Sequence, residues 1–121
     1  MLLNLSNHPS TNWQADQLDR VIQQYGSIED IPFPHIKPEE NTEGVLELAK
    51  QYAQKIINQQ SAIGNITVHL MGEMTFVVAV ANGLKRRKMP VFCSTTKRTV
   101  LEEQDGRKTT QFEFVQFREY A

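Results

Sequence analysis

The sequence predicts an α/β fold: a Rossmann-like open, mostly parallel sheet of about four parallel strands, three helices and a C-terminal β-hairpin. Three observations predict it. Short apolar runs alternate with amphipathic stretches, so strands are separated by helices, the arrangement that gives parallel pairing with right-handed crossovers. Polar, turn-forming segments follow three of the apolar runs. Near the end, Asp105-Gly106 between two threonine- and aromatic-rich stretches is a strong hairpin signal.

Leu2-Leu3-Asn4-Leu5 reads as the first strand, stopped by Ser6-Asn7-His8-Pro9. Gln14, Leu18, Val21, Ile22 and Tyr25 then fall on one helical face, with Ser10, Thr11 or Asn12 as cap and Gly26 as terminator. Ile28 to Phe33 is a short strand cut by Pro32 and Pro34. The missing ladder donors place it at a sheet edge or end it early. A second helix follows the polar connection 38–42, with Val45, Leu48, Ala49, Tyr52, Ala53 and Ile56 inward.

After the Gly64-Asn65 turn, Ile66 to Met71 is a β-branched strand grouping Ile66, Val68 and Leu70. Gly72-Glu73-Met74-Thr75 breaks it and opens a helix from Phe76 to Lys88. That helix is apolar all round at first and closes on Lys85-Arg86-Arg87-Lys88, favourable charge for a C-terminus. Val91-Phe92-Cys93 is the fourth strand, ending at Ser94-Thr95-Thr96-Lys97-Arg98. The hairpin occupies 99–103 and 109–117.

The 121 residues suit a single domain, 1–121, able to bury a core without staples. A net charge of −1 gives no basic footprint for long nucleic acid. Nine of the 13 basic residues nevertheless lie from Lys85 onward, enough to hold a small anion locally. One cysteine, Cys93, rules out an internal disulfide, and the absence of Cys-x-x-Cys leaves no zinc-ribbon spacing. His8, His35 and His69 are too dispersed in sequence to give metal-ligand spacing, so neither a metal nor another cofactor is expected. No apolar run approaches the ~18–20 residues of a membrane span and no signal-peptide pattern opens the chain, so a cytoplasmic location without membrane contact is expected.

Ligands of open α/β sheets bind beyond the carboxyl ends of the strands. In a parallel sheet three polar segments meet there: Ser6-Asn7-His8-Pro9-Ser10, Gly72-Glu73-Met74-Thr75 and Ser94-Thr95-Thr96-Lys97-Arg98. Hydroxyls and cations suit phosphate oxygens, which take many short donors and a compensating charge. Gly72 before a helix start lets backbone approach an anion closely, and the helix N–H groups attract it. The same turn is equally explained as a plain strand-to-helix connection. Glu73 would repel phosphate and needs a ribose hydroxyl or a proton to act on. His69, mid-strand, reads as a satisfied core residue, Cys93 as a small buried hydrophobe, and Trp13 as a packing residue first and a base-stacking one second.

Ser6-Asn7-His8-Pro9 after an opening strand, Met71-Gly72-Glu73-Met74-Thr75 before a central helix, Ser94-Thr95-Thr96-Lys97-Arg98 and the closing Phe112–Tyr120 segment together resemble small CRISPR-associated ring nucleases. These are single-domain proteins with a fold like the CRISPR-associated Rossmann fold (CARF) domain. The resemblance implies a nucleotide-binding homodimer that takes cyclic oligoadenylate across its twofold axis. It also implies metal-independent cleavage in which a ribose 2′-hydroxyl attacks the adjacent phosphate, switching off an antiviral response. On that reading His8, Lys97 and Arg98 carry the chemistry, an imidazole to move a proton and cations to offset phosphorane charge. Ser6, Asn7, Ser10, Gly72, Glu73, Met74, Thr75, Ser94, Thr95 and Thr96 then line the ligand. A sensor or sponge that binds without cutting, and an interaction subunit built on Phe112, Phe114, Phe117 and Tyr120, are the competing expectations.

Overall fold

The computed structural model describes residues 1–121. Its elements run β1 (Leu2–Ser6), a 3-10 turn at Ser10–Asn12, α1 (Ala15–Tyr25), β2 (Ile28–Pro32), α2 (Thr42–Ile63), β3 (Thr67–Met71), α3 (Met74–Lys85), β4 (Val91–Glu102) and β5 (Lys108–Glu119). They form one mixed sheet in the order β2-β1-β3-β4-β5. β1 pairs in parallel with β2 and β3, β3 in parallel with β4, and β4 antiparallel with β5. The proline-cut β2 is an edge, as its missing donors require.

One expectation is corrected here. Ser94 to Arg98 is not a loop after a three-residue strand: β4 continues unbroken to Glu102 and is itself the first arm of the hairpin. The sheet therefore has five strands rather than four plus two. Thr95, Thr96 and Thr99 are good β formers, and 94–102 contains neither proline nor glycine, so the strand runs on through a single register slip at Thr95/Thr96. The apolar run stops at Cys93 because the ribbon beyond it leaves the covered part of the sheet, not because the strand ends.

Right-handed crossovers put α1 on one face and α2 with α3 on the other. Alternation along the two central strands matches this division. The register Leu3↔Val68 and Leu5↔Leu70 sends four apolar side chains toward α2 and α3, where they join Val45, Ala49, Ile56, Phe76, Val80 and Leu84 in the main core. The opposite parity, Asn4↔His69 and Ser6↔Met71, faces α1 and is largely polar although buried. α1 turns Gln17 and Val21 inward and leaves Ile22 half exposed, so its buried face is rotated from the one its apolar residues predict.

The strand order reverses between β1 and β3, whose chains leave their carboxyl ends in opposite directions. Such a reversal leaves a crevice at that end of the sheet. The two connections there are tightly built. Ser6 Oγ accepts the His8 N–H at 3.2 Å, closing the turn after β1. After β3, Gly72 has φ of +152° and lies against the Phe33 ring, so a side chain at this position would collide with it. Gly72→Val is accordingly expected to destabilise the fold by about 2 kcal/mol or more through strain and overpacking. A urea unfolding midpoint equal to that of the parent chain would contradict this.

Candidate functional site

A cleft of about 400 Å³ opens on the α1 side of the sheet, lined by His8, Asn12 and Trp13, by Gln14 at the N-cap of α1 and Gln17 within it, by His69 and Met71 of β3, by Ser94 and Thr96 of β4, and by Phe112 and Phe114 of β5. Its far wall depends on a bulge. The β4–β5 register slips between Thr95 and Thr96, so that Ser94 faces Phe117 while Thr96 faces Phe114 and Arg98 faces Phe112. Without the extra residue on β5, Phe117 would fall on the opposite face from Phe112 and Phe114. α1 holds the ribbon in place. The Gln14 amide donates to Phe112 O at 2.9 Å and accepts from Phe114 N at 3.0 Å, mimicking a further strand. Arg20 donates to Val115 O at 2.8 Å and lies over the Phe114 ring.

At the floor of the cleft a chain of hydrogen bonds links four strands, β2, β1, β3 and β4. Asn4 Nδ2 donates to Asp30 Oδ1 at 2.9 Å and to His8 O at 3.0 Å. Those two acceptors fix the amide orientation, so Asn4 Oδ1 must accept. It does so from Ser6 Oγ at 2.7 Å and from His69 Nδ1 at 2.9 Å. His69 therefore carries its proton on Nδ1, and Nε2 accepts from Ser94 Oγ at 2.7 Å. Gln17 Nε2 donates to the same hydroxyl at 3.1 Å. The Ser94 oxygen thus gives its proton to His69, takes one from Gln17 and keeps one lone pair for the cleft.

His69 is 1% exposed. The Trp13 and Phe117 ring centroids lie 4.8 and 5.7 Å from its own, both in edge-on arrangements. Burial first, and the nearby His8 second, bring its pKa down from the usual 6.5 to about 4. The imidazole is neutral at physiological pH and stays an acceptor toward Ser94. Trp13 in turn is fixed by its indole N–H, which donates to His8 O at 2.9 Å.

The structure brings together part of the site expected from sequence. His8, Ser94 and Thr96 share the cleft. Arg98 follows Thr96 at strand spacing, on the same side of the ribbon and opposite Phe112. Lys97 and Thr95 fall on the other side: Lys97 pairs in register with Glu113, and the Thr95 hydroxyl donates to Gln116 O at 3.1 Å. Consecutive strand residues cannot both face one ligand. Ser6 is buried and acts on Asn4, Ser10 donates to Asp30 at 2.8 Å, and Asn7 borders a separate depression with Pro9, Asp30 and His35.

The segment Gly72-Glu73-Met74-Thr75 does not line the cleft. The Glu73 carboxylate accepts from Thr75 N at 3.1 Å and Phe76 N at 2.8 Å, so the α3 N-terminus is already occupied by the chain's own anion. These bonds, with Phe76 first and the Thr75 hydroxyl next, hold the Glu73 pKa below its usual value. A wider depression of about 890 Å³ lies between α2 and the end of α3. Its rim includes Lys50, Lys55, Arg86 and Arg87, all exposed.

Asn4, Gln17, Trp13 and His69 were missed as site residues. Asn4 and His69 each carried a weak signal, a polar residue inside an otherwise apolar strand; Gln17 and Trp13 carried none.

Residues 1–118 match a family model described as the Uncharacterized protein MJ1673 family. The chain belongs to that family. Neither the curated proteins nor the solved structures contain a match to it. In this member of the MJ1673 family the matched span takes in the whole cleft, from Asn4 on β1 to Phe117 on β5.

Proposed function

We propose that the cleft binds a cyclic oligoadenylate and opens its ring without a metal ion, the chain acting in the cytoplasm as a CARF-like, Rossmann-like ring nuclease and working as a homodimer. The observation that carries the reading is the pairing of two surfaces in one cleft. Ser94, Thr96 and His8 provide hydroxyls and an imidazole for a phosphodiester, with Arg98 next along the strand. Trp13, Phe112 and Phe114 provide apolar faces for a purine. Phosphodiester cleavage needs an in-line approach and donors aimed at the charge that develops on phosphorus, and rigid strands hold such groups well.

The size of the cleft supports the dimer. At about 400 Å³ it stands near the lower end of the roughly 300–1,000 Å³ that ligand sites span. A ring of several nucleotides overfills it, so two copies would each hold part of a twofold-symmetric ligand.

Radiolabelled cyclic tri-, tetra- and hexa-adenylate incubated with the protein in EDTA test the reading. Conversion of one ring to a linear product is the expected result. Tight binding with the ring intact after hours selects the sponge instead, and rings neither bound nor cut overturn the ligand assignment.

One observation favours a second reading. Val100, Leu101, Phe112 and Val115 are all more than two fifths exposed on the projecting ribbon, which suits an interaction subunit that docks through its hairpin. Shortening the ribbon tip between Val100 and Thr110 separates the two: an interaction subunit loses its association, whereas a nucleotide site at Ser94 keeps its ligand.

A further inference from the structure

We infer that Ser94 is a nucleophile toward phosphorus, activated by His69, so that the cleft opens a phosphodiester through a phosphoseryl intermediate rather than through the ribose 2′-hydroxyl. The cyclic substrate in this statement rests on the function proposed above; the nucleophile itself does not.

A serine hydroxyl becomes a nucleophile when a base takes its proton and a third group fixes the base. Ser94 Oγ lies 2.7 Å from His69 Nε2, and His69 Nδ1 lies 2.9 Å from Asn4 Oδ1. Asn4 cannot turn over, because its amide nitrogen is committed to Asp30 and His8 O. The tautomer with a free Nε2 is therefore imposed by bonds that run back to β2. Trp13 and Phe117 box the ring so that it cannot swing away from Ser94.

A role confined to packing would explain the burial of His69. It does not explain why the one polar atom His69 directs toward the cleft ends on a half-buried hydroxyl with a lone pair to spare. Asn4 and Gln17 touch no ligand on this reading. They are positioning residues.

In the first step the Ser94 Oγ–P bond forms as the P–O5′ bond breaks. The serine proton moves to His69 Nε2 and from there to the departing 5′-oxygen. Water, deprotonated by the same nitrogen, then attacks phosphorus as the Oγ–P bond breaks, and the proton on Nε2 returns to Ser94 Oγ. The ends left are a 5′-hydroxyl and a 3′-phosphate. Attack by a 2′-hydroxyl would leave a 2′,3′-cyclic phosphate instead.

Three measurements on the whole chain decide the matter. A fluorophosphonate reagent, in which Ser94 displaces fluoride from phosphorus, is expected to modify Ser94, as located by peptide mass spectrometry. Labelling at that position vanishes in Ser94→Ala and slows at least about 100-fold in His69→Gln. Because His69→Gln can lose the fold, the parent chain supplies a second measurement, the pH profile. Labelling is expected to be flat from pH 8 to 5.5 and to fall as His69 is protonated near 4. The charged groups around that ring are His8 on the loop after β1 and Asp30 on β2, reached through Asn4. α1, β4 and β5 meet it with Gln17, Ser94 and Phe117, none of which titrates there.

A labelling rate that climbs tenfold per pH unit throughout, the behaviour of an unassisted hydroxyl, overturns the proposal, as does the absence of label at Ser94. The third measurement uses a ring built wholly of 2′-deoxyadenylate. Opening of that ring to a 3′-phosphate is expected. Opening only of the ribose ring, to a 2′,3′-cyclic phosphate, removes Ser94 from the reaction and leaves the ligand reading standing. Label on Ser94 with every ring untouched supports the nucleophile and overturns the ligand.

Discussion

Acidification from pH 7 to pH 4 is expected to cost the fold about 3 kcal/mol through His69 alone. In the folded chain this imidazole takes a proton only at about 4, because burial disfavours the charged form and His8 adds a further positive neighbour. In the unfolded chain it is solvated and takes a proton near ~6.5. As the pH falls the unfolded state therefore binds the proton first, and mass action draws the protein toward it. The stabilisation is complete above about 6.5, declines between about 6.5 and about 4, and declines no further once both states are protonated. At about 1.4 kcal/mol for each tenfold difference in proton binding, the gap is worth about 3 kcal/mol. That is a large part of the 5–15 kcal/mol typical of a domain.

Urea unfolding at pH 7, 5.5 and 4.5 measures it, with the slope of the transition expected to stay constant. Glu73 falls in a different window. Its folded pKa is depressed, so its contribution is present above about 4.5 and is lost below it, after most of the His69 contribution has gone. A folded His69→Gln chain should be less stable at pH 7 but nearly flat between pH 6.5 and 4.5. If parent and variant decline in parallel across that window, burial of His69 is not the cause.

The path from sequence to fold was clear where periodicity and environment agreed. β1, β3, α2 and α3 each meet a covered sheet face or helix stripe, so their apolar residues recur at the spacing of their elements. β4 departs from this because it is two things in one strand. Val91 to Cys93 is covered by helices, whereas from Thr96 outward the ribbon is flanked by little except Gln14, Arg20 and solvent, and its side chains are polar for that reason. An apolar run measures coverage, and coverage ended before the strand did.

The site was less legible because it depends on register. Asn4 and His69 are 65 residues apart and meet only because Leu3 pairs with Val68 and Leu5 with Leu70. Alternation marks both as buried, on the parity opposite the leucines. A buried polar side chain on each of two strands implies that they satisfy one another. Which strands are neighbours, however, follows from topology and not from either segment. Gln17 is a sharper instance. It turns inward where the neighbouring apolar Ile22 does not, and its reason for doing so, Ser94, lies 77 residues away. The expected cluster at 72–75 failed for the converse reason. Its features are local, and local chemistry accounts for them in full: a glycine forced by Phe33, and a glutamate that caps the helix it begins.

Asn4→Leu is the second substitution expected to have a large effect, and it separates the architecture of the relay from the chemistry of its last member. Leucine has the same branch point and number of side-chain heavy atoms as asparagine but larger methyl groups, so at a strand position that is 1% exposed part of the change is steric. What is removed is the acceptor for His69 Nδ1 and the donor to Asp30 and His8 O. Ser6 can turn its proton to His8 O, 3.0 Å away, and Asp30 keeps its bonds from Ser10. The polar part of the cost concentrates on one buried imidazole N–H, and with the added bulk the loss is expected to be at least about 2–3 kcal/mol. The imidazole can escape part of this cost by moving its proton to Nε2, which leaves a bare nitrogen against the leucine. It then donates to Ser94 instead of accepting from it, and the serine loses its base although the imidazole remains. Nitrogen NMR of His69 is expected to show the protonated nitrogen change from Nδ1 to Nε2. Fluorophosphonate labelling should fall about as far as in His69→Gln, although the imidazole is still present. A chain that unfolds 2–3 kcal/mol more readily yet labels at the parental rate would mean that Asn4 supports the sheet and nothing more. A tautomer change accompanied by lost reactivity would mean that the orientation of a buried amide on β1 decides whether a hydroxyl on β4 can react.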